Sequence, residues 1–283
     1  FRYVEVSEFP GTPTLTNFVG EVVNDNMPLT GTFECDNPVL NQLVKNAFWG
    51  IRGNYKGMPL DCPQRDERQP WLGDRTTGAL GESFLMENGP LYAKWMDDIR
   101  DAQRIDGCIP DVVPAYYYYY TDNVTWPSAF ILISNMLYEQ YGNTEPICKH
   151  YPGMKLWMDH IRTEFMDQSY IITHDRYGDW CLPPEAPELI HSKDPARITD
   201  GKLIATAYYY KLLQYMIKFA QLQLDMPCRD DRFEALHRQQ LEQDIREYQT
   251  LAEKVKEGFN SALAKYKEGK QEVVQATEEI VAE

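Results

Sequence analysis

The strongest constraint on the fold is a succession of helical patterns separated by loops of unequal length. In residues 38–51 apolar side chains recur every three or four positions, which places them on one face of a helix. Asp36 or Asn37 can cap this helix, and Pro38 suits its first turn. Similar signals return at 75–87, 91–105, 127–141, 151–166, 200–224 and 230–266. The sequence therefore predicts a mostly α-helical chain.

Helices joined in succession favour helical hairpins, and a ring of such hairpins, the (α/α)6 toroid, fits the pattern. A complete ring of six hairpins has two helices in each, more than the sequence provides, so we expect the ring to be incomplete here. No exact repeat of the TPR or HEAT type is present. The loops around 57–74, 106–126 and 173–199 are long and carry Trp, Asp and Glu, which favours a functional role for them.

The first 33 residues carry a different pattern. Apolar residues near 1–6 and at 18–23, on either side of a turn at Gly11–Pro13, predict two strands. We expect 1–33 to be a β segment, the tail of an upstream β domain or a linker, and 34–283 to be the helical domain, in part. The chain begins without Met and without signal-peptide features, so we expect a segment of a longer protein.

Charge excludes two classes of partner. The 28 Lys and Arg against 43 Asp and Glu give a net charge of −15. Such a surface repels phosphate backbones and anionic lipids, so we expect neither nucleic acid nor a membrane as a partner. The 19 Tyr and 6 Trp are the side chains that a carbohydrate site needs, because sugar rings stack on aromatic faces.

No metal site or cofactor is predicted. The five His residues lack HExxH or other metal spacing, the six Cys residues include no CxxC, and GxSxG, P-loop and GxGxxG motifs are absent. A chain of this size needs no disulfide scaffold, so we expect mostly reduced, buried thiols.

The residues that carry chemistry are concentrated in 61–74, which reads DCPQRDERQPWLGD. Its Pro and Gly residues disfavour a regular helix, so its side chains can converge from a shaped loop. Neighbouring carboxylates raise the pKa of a Glu and neighbouring Arg side chains lower it, so composition leaves the protonation of Glu67 open. The alternative is an exposed ionic loop with local salt bridges, in which Asp74 only caps the following helix.

This segment resembles the signature of the α-L-rhamnosidases, the inverting glycoside hydrolases of family 78. Their usual form is DCPQRDER, two variable residues, W, one residue, and GD. Gln69-Pro70 replaces a common Leu-Gly pair and Leu72 replaces a common Thr, departures that affect the shape of the loop more than its chemistry. The resemblance covers residues from about 1 to about 265.

The resemblance implies roles for single residues. Glu67 occupies the position of the general acid that protonates the glycosidic oxygen. Asp61, Arg65 and Asp74 match residues that bind the rhamnose hydroxyls. Trp71 matches an aromatic wall of the sugar pocket.

Further matches lie downstream. The segment 107–114, GCIPDVVP, resembles a family loop, and 203–210 resembles a family helix. Trp126 falls where the family places another pocket Trp, and Asp179 and Trp180, in a YGDW element, would line the sugar site. The alternative is that these Trp residues are core aromatics.

Five consecutive Tyr residues, 116–120, cannot all face one core in a strand or a helix. Some must face a cleft or solvent, where the ring stacks and the hydroxyl forms hydrogen bonds. We therefore expect at least one of them to contact substrate.

Inverting hydrolysis needs a second carboxylate, about 6.5–9.5 Å from the acid, to activate water. The family's base is a Glu in a late WERW-type motif, which this chain lacks. Either the base lies outside the chain, which we favour, or it is one of Glu82, Glu87, Asp111 and Asp179.

A chain without the remaining helices would expose apolar faces, so we expect association with the rest of the toroid or with a second copy.

The expected function is hydrolysis, with inversion and without a cofactor, of terminal α-L-rhamnose from oligosaccharides, polysaccharides or glycosides. A rhamnose-containing glycan or glycoside is the expected partner, in a periplasmic or extracellular location. Two alternatives stay open. One is an (α/α)6 hydrolase for a different α-linked sugar, and the other is a carbohydrate-binding protein without catalysis.

Overall fold

The computed structural model describes residues 3–178, 180, 199–226 and 231–282, with side chains described except in 231–235 and 270–282. Seven α-helices lie in these residues. They are α1 (Pro38–Gly53), α2 (Leu72–Ser83), α3 (Gly89–Ala102), α4 (Ala129–Tyr141), α5 (Glu145–Phe165), α6 (Gly201–Asp225) and α7 (Asp231–Ala282). The prediction of a mostly helical chain is confirmed.

Among the helix starts, that of α5 differs most from the predicted one. α5 begins at Glu145 rather than at 151, with Pro146 in its first turn and Pro152 inside it. A proline suits the first turn of a helix, which Pro146 occupies here. α7 continues as one helix to Ala282, through the charged helical stretch that the sequence indicates after 266.

The helices pack in two layers of alternate members. α2 contacts α4, and α4 contacts α6, while α3 contacts α5 and consecutive helices also touch from α3 to α7. Lys155 and Tyr151 of α5 reach Asp244 of α7, which extends the second layer. This alternation of helical hairpins is the arrangement of an (α/α) toroid.

The core lies between the two layers. α4 is covered on both sides, and Phe130, Ile131 and Leu137 on different faces of it are fully buried. Trp95 of α3 and Trp157 of α5 are among the largest buried side chains. A helix with apolar residues all round is stable only in such a position.

The described connections place the long loops at one end of one layer. Residues 54–71 lead into the N-terminus of α2, residues 103–128 lead into that of α4, and residues 166–178 precede α6. Since these helices belong to the same layer, their N-termini and the described loop residues before them meet. The shorter connections 84–88 and 142–144, after α2 and α4, lie at the other end.

The predicted strands near residues 3–6 and 18–23 are wrong. Residues 3–33 form one 3-10 turn, Leu15–Asn17, and one isolated bridge from Leu29 to Met86. A strand needs a neighbour for its backbone hydrogen bonds, and no strand of the described residues provides one. Apolar side chains of this segment, such as Val19 and Val23, are exposed.

Helix α1 forms where the sequence predicts it, with the Asn37 side chain accepting a hydrogen bond from the Val39 amide at 2.9 Å. It carries no buried residue, and its apolar side chains Leu40, Leu43 and Trp49 are exposed. The expectation of exposed apolar faces is confirmed for this helix.

Two smaller findings complete the fold. Cys35, Cys62, Cys108 and Cys148 are free thiols, but only Cys108 is buried, so the expectation of mostly buried thiols is wrong for these four. Among the described helices, none combines the length and the apolar character needed to cross a membrane.

Candidate active site

The loop before α2 is closed at its base by a short bridge between Asp61 and Gln69. The Asp61 amide donates to the Gln69 carbonyl at 2.8 Å, and the Trp71 amide donates to the same carbonyl at 3.0 Å. Cys62 and Arg68, just inside the bridge, have left-handed backbones with φ of 48° and 50°. These turns fold the intervening charged residues into a compact tip.

Glu67 is held from two sides. The Arg65 guanidinium donates to Glu67 Oε2 from Nε at 2.8 Å and lies 2.6 Å away at Nη2. The Trp71 indole donates from Nε1 to Glu67 Oε1 at 2.9 Å. Burial works to raise the pKa of Glu67, but the hydrogen bonds from Arg65 and Trp71 outweigh it and hold the pKa below its ordinary value. In this arrangement Glu67 is a carboxylate.

Asp61 and Asp74 form an acidic pair beside Glu67. The Cys62 thiol donates to Asp61 Oδ2 at 3.2 Å. Partial burial and the charge of Asp61 raise the pKa of Asp74. α2 begins at Leu72, so Asp74 lies inside its first turn and is not the capping residue that the alternative interpretation required.

The three predicted Trp residues are brought together around Tyr177. The Tyr177 ring stacks on Trp126 with centroids 4.1 Å apart and planes 29° apart. It meets Trp180 at 5.6 Å and Trp71 at 6.4 Å, both nearly edge-on. Trp180 is 64% exposed and Trp126 and Trp71 are half-buried, so these side chains line a surface rather than fill a core.

Gly73 explains how Trp126 reaches this position. A Cβ at Gly73 would overlap the indole ring of Trp126. The glycine of the GD pair therefore lets an aromatic side chain from the α4 loop lie against the start of α2.

Asp111 orients Tyr177; the sequence named Asp111 only as a candidate base and gave Tyr177 no role of its own. Asp111 is fully buried and accepts hydrogen bonds from the Tyr177 hydroxyl at 2.8 Å, the Thr121 hydroxyl at 2.5 Å and the Asn123 amide at 3.2 Å. Burial raises the pKa of Asp111 against these hydrogen bonds. The sequence feature that could have identified Tyr177 as a pocket residue is its place in the YGDW element, which also holds the predicted pocket residue Trp180.

Asp175 links the two later loops. Its Oδ2 accepts from the backbone amides of Val124 and Thr125 at 3.0 Å each. Its Oδ1 accepts from the amides of Tyr177 and Gly178, also at 3.0 Å each. One carboxylate thus fixes the backbone on both sides of the aromatic pocket.

The structure brings together all but one of the predicted site residues. Asp61, Arg65, Glu67, Trp71 and Asp74 share one loop and one helix turn, and Trp71 connects them through Tyr177 to the other two Trp residues. Asp179 lies outside the described residues.

Of the four candidate bases within the chain, two are buried and hydrogen-bonded to protein groups, and a third lies far from the site loop. Glu82 is buried, pairs with Arg75 at 2.5 Å and accepts from the Tyr92 hydroxyl at 2.7 Å. Asp111 is buried and bound to its three donors. Glu87 follows the C-terminal end of α2, whose 12 residues span about 18 Å from the site loop. The fourth, Asp179, is outside the described residues.

Two groups of possible metal ligands occur among the described residues, each with donor atoms within 4.8 Å of one another. They are Asp61, Cys62 and Glu67, and Cys108, Asp122 and His160. In the first, Arg65 already supplies the positive charge beside Glu67. In the second, His160 Nε2 lies 2.7 Å from Asp122 Oδ1. Hydrogen bonds among protein groups account for both arrangements.

Comparison with known proteins agrees with the helical architecture. The family model described as the bacterial alpha-L-rhamnosidase 6 hairpin glycosidase domain matches residues 28–282. An alpha-L-rhamnosidase of Streptomyces avermitilis is 36% identical over 210 residues, which are 74% of this chain and 19% of that protein.

Solved structures give the same result. The structure of alpha-L-rhamnosidase from Dictyoglumus thermophilum matches with a TM-score of 0.75 and 33% identity, over 89% of this chain and 26% of that one. The crystal structure of the Streptomyces avermitilis alpha-L-rhamnosidase complexed with L-rhamnose matches with a TM-score of 0.73 and 28% identity, over 90% and 22%. The chain therefore spans about a fifth to a quarter of the length of these relatives.

Proposed function

The chain belongs to the bacterial α-L-rhamnosidases with a six-hairpin glycosidase domain, and from this we propose that it supplies the acid side of a site that hydrolyses terminal α-L-rhamnosyl linkages with inversion. The observation that carries the proposal is the contact of Glu67 with the Trp71 indole at 2.9 Å. Among the carboxylates of the loop tip, Glu67 is the one that accepts a hydrogen bond from an aromatic side chain of the pocket, which supports it as the acid beside the glycosidic oxygen. A rhamnose-containing glycan or glycoside is the proposed substrate.

Aromatic rings and carboxylates meet at this site, and a sugar can bind to both. The rings of Trp126 and Trp180 offer apolar faces to the C–H side of a pyranose. Asp61 and Asp74 offer acceptors for its hydroxyls, and such charge-assisted hydrogen bonds are stronger than neutral ones. One structural relative is a complex with L-rhamnose, which supports this sugar as the ligand.

Proton donation requires a change around Glu67. An acid must carry its proton near neutral pH, yet the hydrogen bonds from Arg65 and Trp71 lower the pKa of Glu67 and keep it ionised. We propose that the sugar hydroxyls take Arg65 away from Glu67. With that charge removed and water displaced by the sugar, burial raises the pKa of Glu67 and prepares it to protonate the leaving oxygen.

The second half of the reaction needs a base on the opposite face of the sugar. We propose that this base is neither Glu82 nor Asp111, because each is buried and already accepts hydrogen bonds from protein donors. Glu87 is at the far end of α2 and cannot face the same sugar. A carboxylate from other helices of the six-hairpin domain is the proposed base.

The test is release of nitrophenol from 4-nitrophenyl α-L-rhamnoside by the full protein that carries this chain. Glu67→Gln is expected to reduce kcat/KM by about a hundredfold or more, the scale of general-acid catalysis. Asp66→Asn is the matched control, since Asp66 is the adjacent carboxylate and its side chain is fully exposed. Equal activity of Glu67→Gln and wild type would remove Glu67 from the reaction.

The same assay separates the two alternatives. A panel of nitrophenyl glycosides would identify a hydrolase for a different sugar by activity on another member. Binding of L-rhamnose without turnover of any member would indicate a carbohydrate-binding protein.

A further inference from the structure

The tyrosine run 116–120 divides into two faces. The rings of Tyr117 and Tyr119 are 6.0 Å apart, and those of Tyr118 and Tyr120 are 5.0 Å apart. The Tyr119 amide donates to the Tyr117 carbonyl at 3.0 Å, and this tight turn at Tyr118 brings together the rings that lie two positions apart. The two faces have different surroundings.

The even-numbered face is bound to protein. Arg104 donates from Nη1 to the Tyr118 hydroxyl at 2.8 Å, and its guanidinium lies over the Tyr120 ring at 5.6 Å. The Tyr120 hydroxyl donates to the Ala102 carbonyl at 2.7 Å. This face fastens the loop to the end of α3.

The odd-numbered face continues the aromatic surface of the site. The Tyr119 ring lies 5.4 Å from Trp71, with the planes 31° apart. Tyr117 is 59% exposed, whereas Tyr119 is half-buried. From Glu67 the surface therefore runs through Trp71 and Tyr119 to Tyr117 and opens to solvent.

Backbone hydrogen bonds hold this surface in register with the site loop. The Asp111 amide donates to the Tyr119 carbonyl at 2.9 Å, and the Leu72 amide donates to the Asp111 carbonyl at 2.9 Å. The Val113 amide donates to the Pro70 carbonyl at 3.1 Å. The position of Tyr119 relative to Trp71 is thus set by main-chain contacts and not by the two rings alone.

We propose that Tyr117 and Tyr119 form the subsite for the leaving group, a ring with a flat apolar face. The inference rests on the proposed function. Trp71 meets Tyr177 edge-on, on the sugar side, and meets Tyr119 at a shallow angle. Since a general acid lies beside the glycosidic oxygen, the group beyond that oxygen reaches the next surface along, which is Tyr119 and then Tyr117.

The proposed leaving group is a ring with a flat apolar face, and two classes of compound have such a ring. One is an aromatic aglycone, as in a phenolic glycoside, and the other is the C–H face of a second pyranose. Both stack on a tyrosine ring, so the experiment compares them. Methyl α-L-rhamnoside, which has no ring in this position, is the reference ligand.

The experiment measures dissociation constants by calorimetry with the full protein in a Glu67→Gln background, so that ligands are not consumed. The ligands are methyl α-L-rhamnoside, phenyl α-L-rhamnoside and an α-L-rhamnosyl-glucose disaccharide. Tyr117→Ala is expected to weaken one or both ring-bearing ligands, relative to the methyl glycoside, by about threefold to tenfold, the scale of one ring-stacking contact. Tyr118→Ala, which removes an equally large exposed Tyr from the opposite face, is expected to leave this ratio unchanged.

The outcomes separate the two proposals. If the three rhamnosides bind but Tyr117→Ala weakens them equally, or Tyr118→Ala shifts the ratio as much, the leaving-group subsite is wrong and the rhamnose site stands. If no rhamnoside binds to protein that circular dichroism shows to be folded, the proposed function fails and the subsite with it. A loss confined to the phenyl glycoside identifies an aromatic aglycone, and one confined to the disaccharide identifies a sugar.

Discussion

Arg65 holds Glu67 through two nitrogens, Nε at 2.8 Å and Nη2 at 2.6 Å, although the two residues are separated by a single position in the chain. The left-handed backbone of the neighbouring Arg68 helps to fold the loop so that both side chains meet. The residue that the family resemblance assigns to the sugar hydroxyls is thus bound to the proposed acid. In the proposed mechanism, this contact links sugar binding to the protonation of Glu67.

The first prediction concerns the titration of Glu67. Its folded-state pKa is below the ordinary 4.5, so the Glu67 interactions stabilise the protein above that value and are lost as pH falls through the folded pKa. Arg65→Gln is expected to raise the pKa of Glu67 and to reduce this loss. Carboxylate NMR titration and unfolding at several pH values below 5 measure the two effects, which are small because Arg65 is 62% exposed.

Arg68→Gln is the control for this titration. Arg68 lies in the same loop with 60% exposure, and its nearest carboxylate is Asp66 at 3.8 Å. The pKa of Glu67 is expected to stay where it is in this variant. An equal shift in both variants would mean that the loop responds to net charge and not to the Arg65 contact.

The second prediction concerns Gly73. A methyl group there overlaps Trp126, so Gly73→Ala is expected to lower the free energy of unfolding by about 1–3 kcal/mol, the usual cost of overpacking, and to weaken L-rhamnose binding by displacing the indole. Gly81→Ala in the same helix meets no atom within 4 Å and is expected to stabilise the protein by about 0.5–1 kcal/mol. Unchanged rhamnose affinity in Gly73→Ala would show that Trp126 does not contact the sugar.

The third prediction concerns the buried pair of Arg75 and Glu82, which lie 2.5 Å apart with 6% and 9% of their side chains exposed. Glu82→Gln leaves the guanidinium buried without its counter-charge and is expected to cost about 3–5 kcal/mol in the free energy of unfolding. Asp98→Asn, which breaks the exposed pair with Lys94, is expected to cost at most about 1 kcal/mol. Urea unfolding measures both, and similar losses would contradict the burial argument.

The fourth prediction concerns the hydroxyl of Tyr177. Tyr177→Phe keeps the ring on Trp126 and removes the hydrogen bond to Asp111, at an expected cost of about 1.5–3 kcal/mol for a bond to a charged group. Tyr116→Phe, at an exposed position, is expected to change stability by less than about 0.5 kcal/mol. A neutral Tyr177→Phe would indicate that Thr121 and Asn123 alone satisfy Asp111.

The fifth prediction concerns the exposed face of α1. Leu40 and Leu43 are 44% and 61% exposed, so the 283-residue chain on its own is expected to associate as its concentration rises. The double substitution Leu40→Gln with Leu43→Gln is expected to reduce that association. Sedimentation velocity measures it, and a monomer at every concentration would contradict the prediction.

The sequence predicts the helices and the site loop well, because both depend on local patterns. The apolar spacing of 38–51 and the charged run 61–74 each lie within one segment. The strand prediction at 18–23 fails for the opposite reason. A strand depends on a distant partner, and the described residues provide none there.

The remaining features of the site depend on contacts between loops. Asp111 and Tyr177 are 66 positions apart, and nothing in either neighbourhood indicates that they meet. The protonation of Glu67 also needs geometry, because burial raises its pKa while the Arg65 and Trp71 contacts lower it, and only the fold decides which is larger. The sequence identifies these groups, and the fold decides which of them has the larger effect on the pKa of Glu67.

The link through Asp175 has a consequence for the order in which the protein takes shape. The Asp175 carboxylate joins the backbone amides of Val124 and Thr125, about 50 positions away, to the amide of Tyr177 in its own turn. The link can therefore form only after the intervening helices have come together. Helical hairpins depend on nearby contacts and close quickly, whereas distant contacts wait for the chain entropy of the loops between them to be overcome. The aromatic pocket is accordingly expected to close after the individual helical hairpins have formed.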